Sequence, residues 1–343
     1  MIMRKIKKPI SELRQDLVSG DWVLIAEKRG HRSKLLKLKR EKKEFSQPKK
    51  TCPFENPQKS GNDAPIIFYP KNKPLKNWKI QIIPNKFPAM GHGACALINK
   101  EGPYQFTDGY GFHEIVITKD HKKHLALLKF SEIENVIRSY QERFQTLKIE
   151  DWVKYILIFH NHGKEAGATI SHPHSQIMTF PVIPPDVAHS LKGSLDYYNK
   201  HKKCVHCIMI AWELKHKKRV IFENKDFVAF TPFAPRAAFE IRIFPKKHES
   251  YFETMKEKTR KNLTEILKKI LEGISKGLRN PDYNFFIHTA PISQTEKFPH
   301  YHWHFEILPK TSIWAGVELG TGIEISTIKP EEAARIIKNY LSL

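Results

Sequence analysis

The chain has 343 residues, 40% hydrophobic and 11% aromatic, and its 58 Lys and Arg against 36 Asp and Glu give a formal net charge of +22. That length accommodates two packed domains of about 150 residues each, while the lack of any apolar run of about 18–20 residues excludes a membrane-spanning helix. Gly and Pro counts of 16 and 22 exclude fibrous and disordered classes. The basic N-terminal stretch MIMRKIKKPI has no apolar segment, so no secretory leader and a cytoplasmic location are expected. The charge favours anionic partners. Its runs (Lys34–Lys43, Lys200–Lys203, Lys215–Arg219, Lys256–Lys261) are scattered and poor in interleaved aromatics. Base-stacking surfaces need such interleaving, so phosphorylated small molecules are expected ahead of nucleic acid.

In chain order, Cys52-Pro-Phe-Glu55 is the first motif with chemistry in it. Glu114-Ile-Val-Ile-Thr118 reads as a strand leading to His121. Apolar residues at three- and four-residue spacing then predict an amphipathic helix over Leu125–Leu147. The next strand is Val153–His160, and a small-residue loop, Gly163–Ser171, opens onto His172-Pro-His174-Ser-Gln176-Ile-Met178. Pro184–Pro185 marks a division before a predicted helix over Val187–Asn199, and Cys204-Val-His-Cys207 follows. The same order then returns as a strand from Glu240 towards His248, a helix over Phe252–Ile274, a strand at Tyr283–His288, and His302-Trp-His304-Phe-Glu306. His121 and His248 stand 127 positions apart, His172 and His302 130, and Cys52 and Cys204 152. One unit therefore occurs twice. It predicts an α+β fold of two tandem halves, residues 1–185 and 186–343, each an antiparallel sheet with one long helix.

Strand alternation is expected to put His172, His174 and Gln176 on one face. Two imidazoles and an amide there are costly to bury without a ligand. Backbone N–H groups of the preceding loop can hold phosphate oxygens, and an imidazole can attack phosphorus to give a covalent phosphoramidate. A neutral Gln176 suits a leaving group such as a sugar phosphate, whose second pKa of about 6 asks for little proton donation. Transfer between phosphates is thus favoured over hydrolysis. Cys204, Cys207, His248 and His302 match a tetrahedral Cys2His2 zinc site. Cys52, Glu55, His121 and His172 form the parallel first-half set, with a carboxylate in place of one thiolate, and are the candidate for a second metal. Cys95 has no partner pattern and reads as a small buried residue.

The cluster His172-Pro-His174-Ser-Gln176 resembles the His-Pro-His-x-Gln motif of the galactose-1-phosphate uridylyltransferase family, a branch of the histidine-triad superfamily. The resemblance runs over nearly the whole chain. It includes Arg14-Gln-Asp16, Gly20-Asp-Trp22-Val-Leu-Ile-Ala26, Arg29, Arg32, Pro84-Asn85-Lys-Phe87, Phe112-His113-Glu114, Asn161-His-Gly163 and Gly316-Val-Glu318-Leu-Gly320-Thr321-Gly322. It implies two tandem histidine-triad-like domains, commonly paired as homodimers with residues shared across the interface. It also implies double displacement: His174 attacks the α-phosphorus of a nucleotide sugar, expels hexose 1-phosphate, and passes the nucleotidyl group to a second phosphate. Gln176 would then hydrogen-bond the transferred group. Asn161, Gly167 and Thr169 would hold phosphate oxygens; Arg29, Arg32 and Asn85 would contact the nucleotide; Gly316 and Glu318 would lie in the sugar-contacting segment.

Two departures from the family pattern stand out. Glu55 replaces the second cysteine of the first-half Cys-x-x-Cys, and Glu306 replaces glutamine in the second-half cluster, where His304 occupies the nucleophile's position by repeat. The resemblance implies a UDP-glucose–hexose-1-phosphate uridylyltransferase of galactose metabolism. Glu318-Leu-Gly-Thr-Gly322 resembles instead the ADP-glucose phosphorylase branch, in which an adenylyl group passes to inorganic phosphate. A nucleic-acid-binding histidine-triad protein ranks below both.

Overall fold

The computed structural model describes residues 10–29, 45–91, 98–293 and 297–341. Arg32, Cys95 and the basic run Lys34–Lys43 lie outside the described residues. Fifteen strands are named: β1 (Glu12–Gln15), β2 (Trp22–Ile25), β3 (Ile67–Tyr69), β4 (Ile80–Pro84), β5 (Asn99–Glu101), β6 (Tyr104–Phe106), β7 (His113–Thr118), β8 (Tyr155–His162), β9 (His174–Phe180), β10 (Val220–Glu223), β11 (Phe227–Phe230), β12 (Ile241–Pro245), β13 (Tyr283–His288), β14 (His304–Pro309) and β15 (Glu324–Ser326). The helices are α1 (Phe130–Leu147), α2 (Pro185–His201), α3 (Val205–His216), α4 (Glu257–Gly277), α5 (Gly316–Thr321) and α6 (Pro330–Lys338).

The repeat is visible in the sheet. Outward from a central seam, the first half runs β8-β9-β7-β4-β3 and the second β13-β14-β12-β11-β10. The two sheets expected from the sequence are thus joined into one antiparallel sheet of ten strands, because β8 and β13 pair with each other, Asn161 opposite Asn284 and Phe285 opposite His160. Without that pairing each half would leave an edge of unpaired backbone groups. Both long helices pack on one face of the sheet and on each other, sharing one core. Their apolar stripes supply it: Ile133, Val136, Ile137, Tyr140 and Phe144 from α1, and Leu263, Ile266, Leu267, Ile270 and Ile274 from α4.

Both helices start later than their apolar periodicity suggests. Leu125–Leu127 and Phe252–Thr254 are single 3-10 turns, and the extended residues Leu128–Lys129 and Met255–Lys256 separate each from its helix. Apolar spacing is blind to this break, since both the turn and the helix bury the same face. Helix α2 starts at Pro185, whose missing N–H costs nothing at a first helical position. Helix α3, which begins next to Cys204, was not anticipated; its apolar residues are not confined to one side.

The N-terminal hairpin β1–β2 adds β15 in parallel to form a three-stranded sheet, so chain ends far apart in sequence meet. It docks through charge as well as pairing. Arg14 and Arg219 both bind Glu331, and Arg242 reaches Asp16. Gly193 of α2 lies so close to the carbonyl of Val18 that a Cβ would sit 1.8 Å from its oxygen, which explains a glycine inside a helix. No helix among the described residues is long and apolar enough to cross a membrane.

Two stability outcomes follow from the seam. Phe285 is fully buried beside His160 and Phe305, so Phe285→Ala is expected to cost about 3–5 kcal/mol in urea denaturation. Burial also holds the His160 imidazole well below its usual value, helped by repulsion from His162 and His174. The folded chain keeps it neutral while the unfolded chain binds a proton below about pH 6.5. Stability from this group is therefore complete above that pH and falls as the pH drops, by up to about 1.4 kcal/mol per pH unit. A pH series of denaturation midpoints checks this; His160→Asn should make the slope shallower by that amount.

Candidate active site

Strand β9 begins at His174, so His174 and Gln176 share a face while Ser175 points to the other. On that other face Ser175 accepts a hydrogen bond from the Tyr140 hydroxyl at 2.5 Å and meets His160 Nδ1 at 3.0 Å, which fixes the strand against α1. His172 precedes the strand. Its ring lies on the same side all the same: it joins Cys52 and His121, Phe54 meets both His172 and His174, and Cys52 and Phe54 pack with Ile115 and Ile117, the register partners of Gln176 and His174.

His174 Nδ1 lies 2.9 Å from the His172 carbonyl oxygen. A carbonyl only accepts, so Nδ1 carries the proton and Nε2 carries the lone pair. Burial pushes the imidazole below its usual value, against the pull of that carbonyl, and this keeps Nε2 unprotonated at neutral pH. Phe54 packs edge-on to the ring at 5.1 Å.

Asn161 lies in the seam, next to the last residue of β8 and one register step beyond the His160–Ser175 pair, and so beside His174. Its Oδ1 accepts a hydrogen bond from Asn284 Nδ2 of the second half at 2.8 Å, and the same Asn284 nitrogen donates to the Ala166 carbonyl at 2.8 Å. The loop between Asn161 and His172 contains a 3-10 turn, Lys164–Ala166, bounded by Gly163 and Gly167 with φ of 85° and 90°. At Gly163 a Cβ would sit 2.1 Å from the Asp282 carboxylate, which accepts the Glu165 N–H at 2.8 Å. Glycine is thus required where the second half clamps the loop. Thr169 is exposed and its carbonyl accepts from Gln47 Nε2. A cavity of about 440 Å³ opens on the flank of this loop, lined by His124, His160, Asn161 and Arg279 among others.

Gln176 Oε1 is 2.7 Å from His113 Nε2, and His113 Nδ1 accepts the Ala89 backbone N–H at 3.1 Å. Asn85 belongs to the same group: its Oδ1 accepts the Phe87 N–H, and its Nδ2 lies against the His113 ring. The structure therefore assembles His174, Gln176, Asn161, Gly167 and Asn85 around the start of β9, with Thr169 in the loop that leads into it. Arg29, Gly316 and Glu318 are not among them; among the described residues no hydrogen bond or ion pair joins them to this group. They lie near the three-stranded sheet of β1, β2 and β15, Arg29 just after β2 and the other two on α5, which packs on β15. The sequence assigns no role to His113, which lies within Phe112-His113-Glu114, or to Asn284, which no spacing marks.

Two cysteine–histidine groups converge at ligand distances, Cys204/Cys207/His248/His302 and Cys52/His121/His172, with candidate ligand atoms within 4.8 Å of one another. The histidines are prepared alike. His172 Nε2 donates to the Thr118 carbonyl, His302 Nε2 to that of Pro245, and His121 Nε2 to that of Gln47, so each turns an unprotonated Nδ1 inward. Such outer hydrogen bonds are the usual support of metal-bound histidine. Glu55 faces the first group, its Oε2 3.3 Å from His121 Nδ1, and both atoms are buried without a hydrogen bond. A cation between them would satisfy both. The donor sets fit zinc.

His288, His304 and Glu306 also converge. Here a cation is already present: Arg242 lies 2.7 Å from Glu240 and 3.6 Å from Glu306. Burial alone would raise the Glu306 carboxyl, but Arg242 holds it down to about 2, while burial pushes Glu240 up to about 8. Both faces of His304 are covered, by Phe244 at 4.7 Å and His288 at 4.9 Å.

Known proteins give a consistent picture. The family model described as galactose-1-phosphate uridyl transferase, N-terminal domain, matches residues 5–184, and the HIT domain model matches residues 213–312. ADP-glucose phosphorylase of Arabidopsis thaliana is 34% identical over 331 residues, covering 95% of this chain and 92% of that one. Galactose-1-phosphate uridylyltransferase of Thermotoga maritima is 29% identical over 290 residues, 82% of this chain and 90% of that one. The crystal structure of the Arabidopsis phosphorylase with bound ADP-glucose superposes with a TM-score of 0.81 over 97% of this chain and all of that one. A two-half chain that shares one sheet, carries His-Pro-His-Ser-Gln at a strand start and matches these models over residues 5–184 and 213–312 belongs to the galactose-1-phosphate uridyl transferase family of HIT-domain proteins.

Proposed function

We propose that the chain transfers a nucleotidyl group from a nucleotide sugar to a phosphate through a covalent intermediate on His174. The observation that carries this is the His172 carbonyl, which leaves the Nε2 lone pair of His174 beside a glycine-bounded loop suited to phosphate. Nε2 attacks the α-phosphorus, the N–P bond forms, and the bridging P–O bond breaks with its electrons leaving on the sugar phosphate. In the return step an oxygen of the acceptor phosphate attacks, the N–P bond breaks, and the imidazole regains its lone pair. The positive charge on the intermediate ring is shared with the His172 carbonyl through Nδ1–H. His174 is favoured over His304, whose ring is enclosed on both faces.

Between the two donors, we favour adenylyl transfer from ADP-glucose to phosphate. The 34% identity along 95% of the chain supports it, as does Glu318-Leu-Gly-Thr-Gly322. Uridylyl transfer to hexose 1-phosphate, which the histidine motif put first, remains the second reading and is supported by the Thermotoga relative. Arg29, Arg32, Gly316 and Glu318 would act in a homodimer, from the partner. Leu13 on β1, Trp22 on β2 and Val317 and Leu319 on α5 lie exposed, as a second copy would require. In each half the cysteine and histidine ligands, with Glu55 in the first, would hold a zinc ion that stiffens the segment leading into its histidine strand.

Intact mass after brief incubation with ADP-glucose or UDP-glucose, without acceptor, tests the chemistry. An AMP adduct on His174 is expected; a UMP adduct would establish the second reading. His174→Gln should keep the melting temperature, carry no adduct and lose at least about 10⁴-fold in turnover, and an adduct on His304 would overturn the assignment. Elemental analysis should find two zinc ions per chain, one lost in Cys207→Ala and the other in Cys52→Ala.

A further inference from the structure

We infer that His113 and Asn284 are positioning residues that turn both amides beside His174 the same way, so that Gln176 and Asn161 present N–H2 rather than oxygen to the transferred phosphoryl group. The inference rests on the reading of His174 as nucleophile and deepens it. Each amide direction is fixed by a chain of hydrogen bonds that begins at a backbone group with only one possible role.

The Ala89 N–H can only donate, and it donates to His113 Nδ1 at 3.1 Å. That nitrogen therefore holds the lone pair, Nε2 holds the proton, and the Gln176 atom 2.7 Å away must be the acceptor Oε1. Asn85 Nδ2 does not disturb this order. It lies 3.1 and 3.4 Å from the two ring nitrogens, and an atom nearly equidistant from both is in line with neither lone pair. On the other side, the Ala166 carbonyl can only accept, so the Asn284 atom beside it is the N–H2 group. The same N–H2 group is 2.8 Å from Asn161, whose contacting atom must then be Oδ1. Asn161 Nδ2 is consequently turned towards Gly167, where a Cβ would sit 3.7 Å from it. Gln176 Nε2 has no hydrogen bond among the described residues.

A phosphoryl group in transfer gathers negative charge on its non-bridging oxygens. Two amide N–H2 groups held towards it stabilise that charge, and two amide oxygens would repel it. The second half has lost the arrangement. Positions equivalent to His113, Ile115 and Gln176 carry Glu240, Arg242 and Glu306, and the register that pairs Ile115 with Gln176 pairs Arg242 with Glu306.

The test is the single-turnover rate of His174 nucleotidylation, read by mass, together with the dissociation constant for the nucleotide sugar. Asn284→Asp keeps the shape but offers only acceptors, so Asn161 must turn its N–H2 inward and its oxygen outward. The rate is expected to fall about a hundredfold with a much smaller change in binding. His113→Phe should lose a similar factor, and His113→Gln, which can still donate to Gln176, should recover most of it. In a Gln176→Ala background His113→Phe should cost nothing further, whereas a purely structural role would add its full loss. Imidazole ¹⁵N shifts should identify His113 as the Nε2-protonated tautomer. Full-rate His113→Phe and Asn284→Asp enzymes, alongside slow Gln176→Ala and Asn161→Ala, would overturn the positioning role alone. Full rates in Gln176→Ala and Asn161→Ala would overturn the underlying reading of the site as well.

Discussion

The pairing of β8 with β13 is the constraint on which the rest of the molecule depends. It converts two repeats, each with an unpaired edge, into one ten-stranded sheet, and it places α1 and α4 side by side over a common core. It also brings Asn284 opposite Asn161 and sets Asp282 beneath Gly163. The first-half loop is therefore held by second-half side chains. A histidine-triad-like unit on its own would contain His174 and Gln176, but neither the clamp on its phosphate loop nor the group that directs Asn161.

The two halves share a scaffold and differ in what they bury at equivalent positions. In both, the first histidine of the His-x-His pair gives its Nε2 proton to a carbonyl and the second gives its Nδ1 proton back to the first. The divergence begins one turn of the strand later. The first half places neutral groups, His113 and Gln176, where charge would have to be desolvated, and it leaves one polar end open. The second half places Glu240, Arg242 and Glu306 there, a set whose charges largely compensate one another and leave little for a ligand to satisfy. The same repeat thus supports an open polar site in one half and a closed ionic one in the other.

The N-terminal hairpin illustrates a different use of buried charge. Arg14, Arg219 and Glu331, with Arg242 and Asp16, tie β1–β2 to the second half and Val23 and Ile25 are buried against Ala234, while Leu13, Leu17 and Trp22 of the hairpin and Val317 and Leu319 of α5 remain exposed. Charge anchors the segment within the chain. In the proposed dimer a second copy would cover its exposed apolar residues, and Arg29 and Glu318, which the family resemblance ties to the ligand, would reach it from the partner.

Much was legible in the sequence by itself. The near-constant offsets of 127 and 130 between His121, His172 and their counterparts, with a Cys motif upstream of each, revealed the repeat. The 3.6-residue periodicity located both long helices, and alternation located the strands. It misjudged the turns at Leu125–Leu127 and Phe252–Thr254, where turn and helix bury the same apolar face, and it passed over α3, whose apolar residues ring the helix. Motif chemistry singled out His174 and Gln176. What only the tertiary structure decided was the joining of two sheets into one and the company each polar group keeps. Asn284 is one asparagine in an ordinary strand until the seam sets it against Asn161 and Ala166, and His113 is one motif residue until Ala89 fixes its proton. Hydrogen-bond direction depends on partners brought together from 24 to 123 positions away, and local sequence carries no record of them.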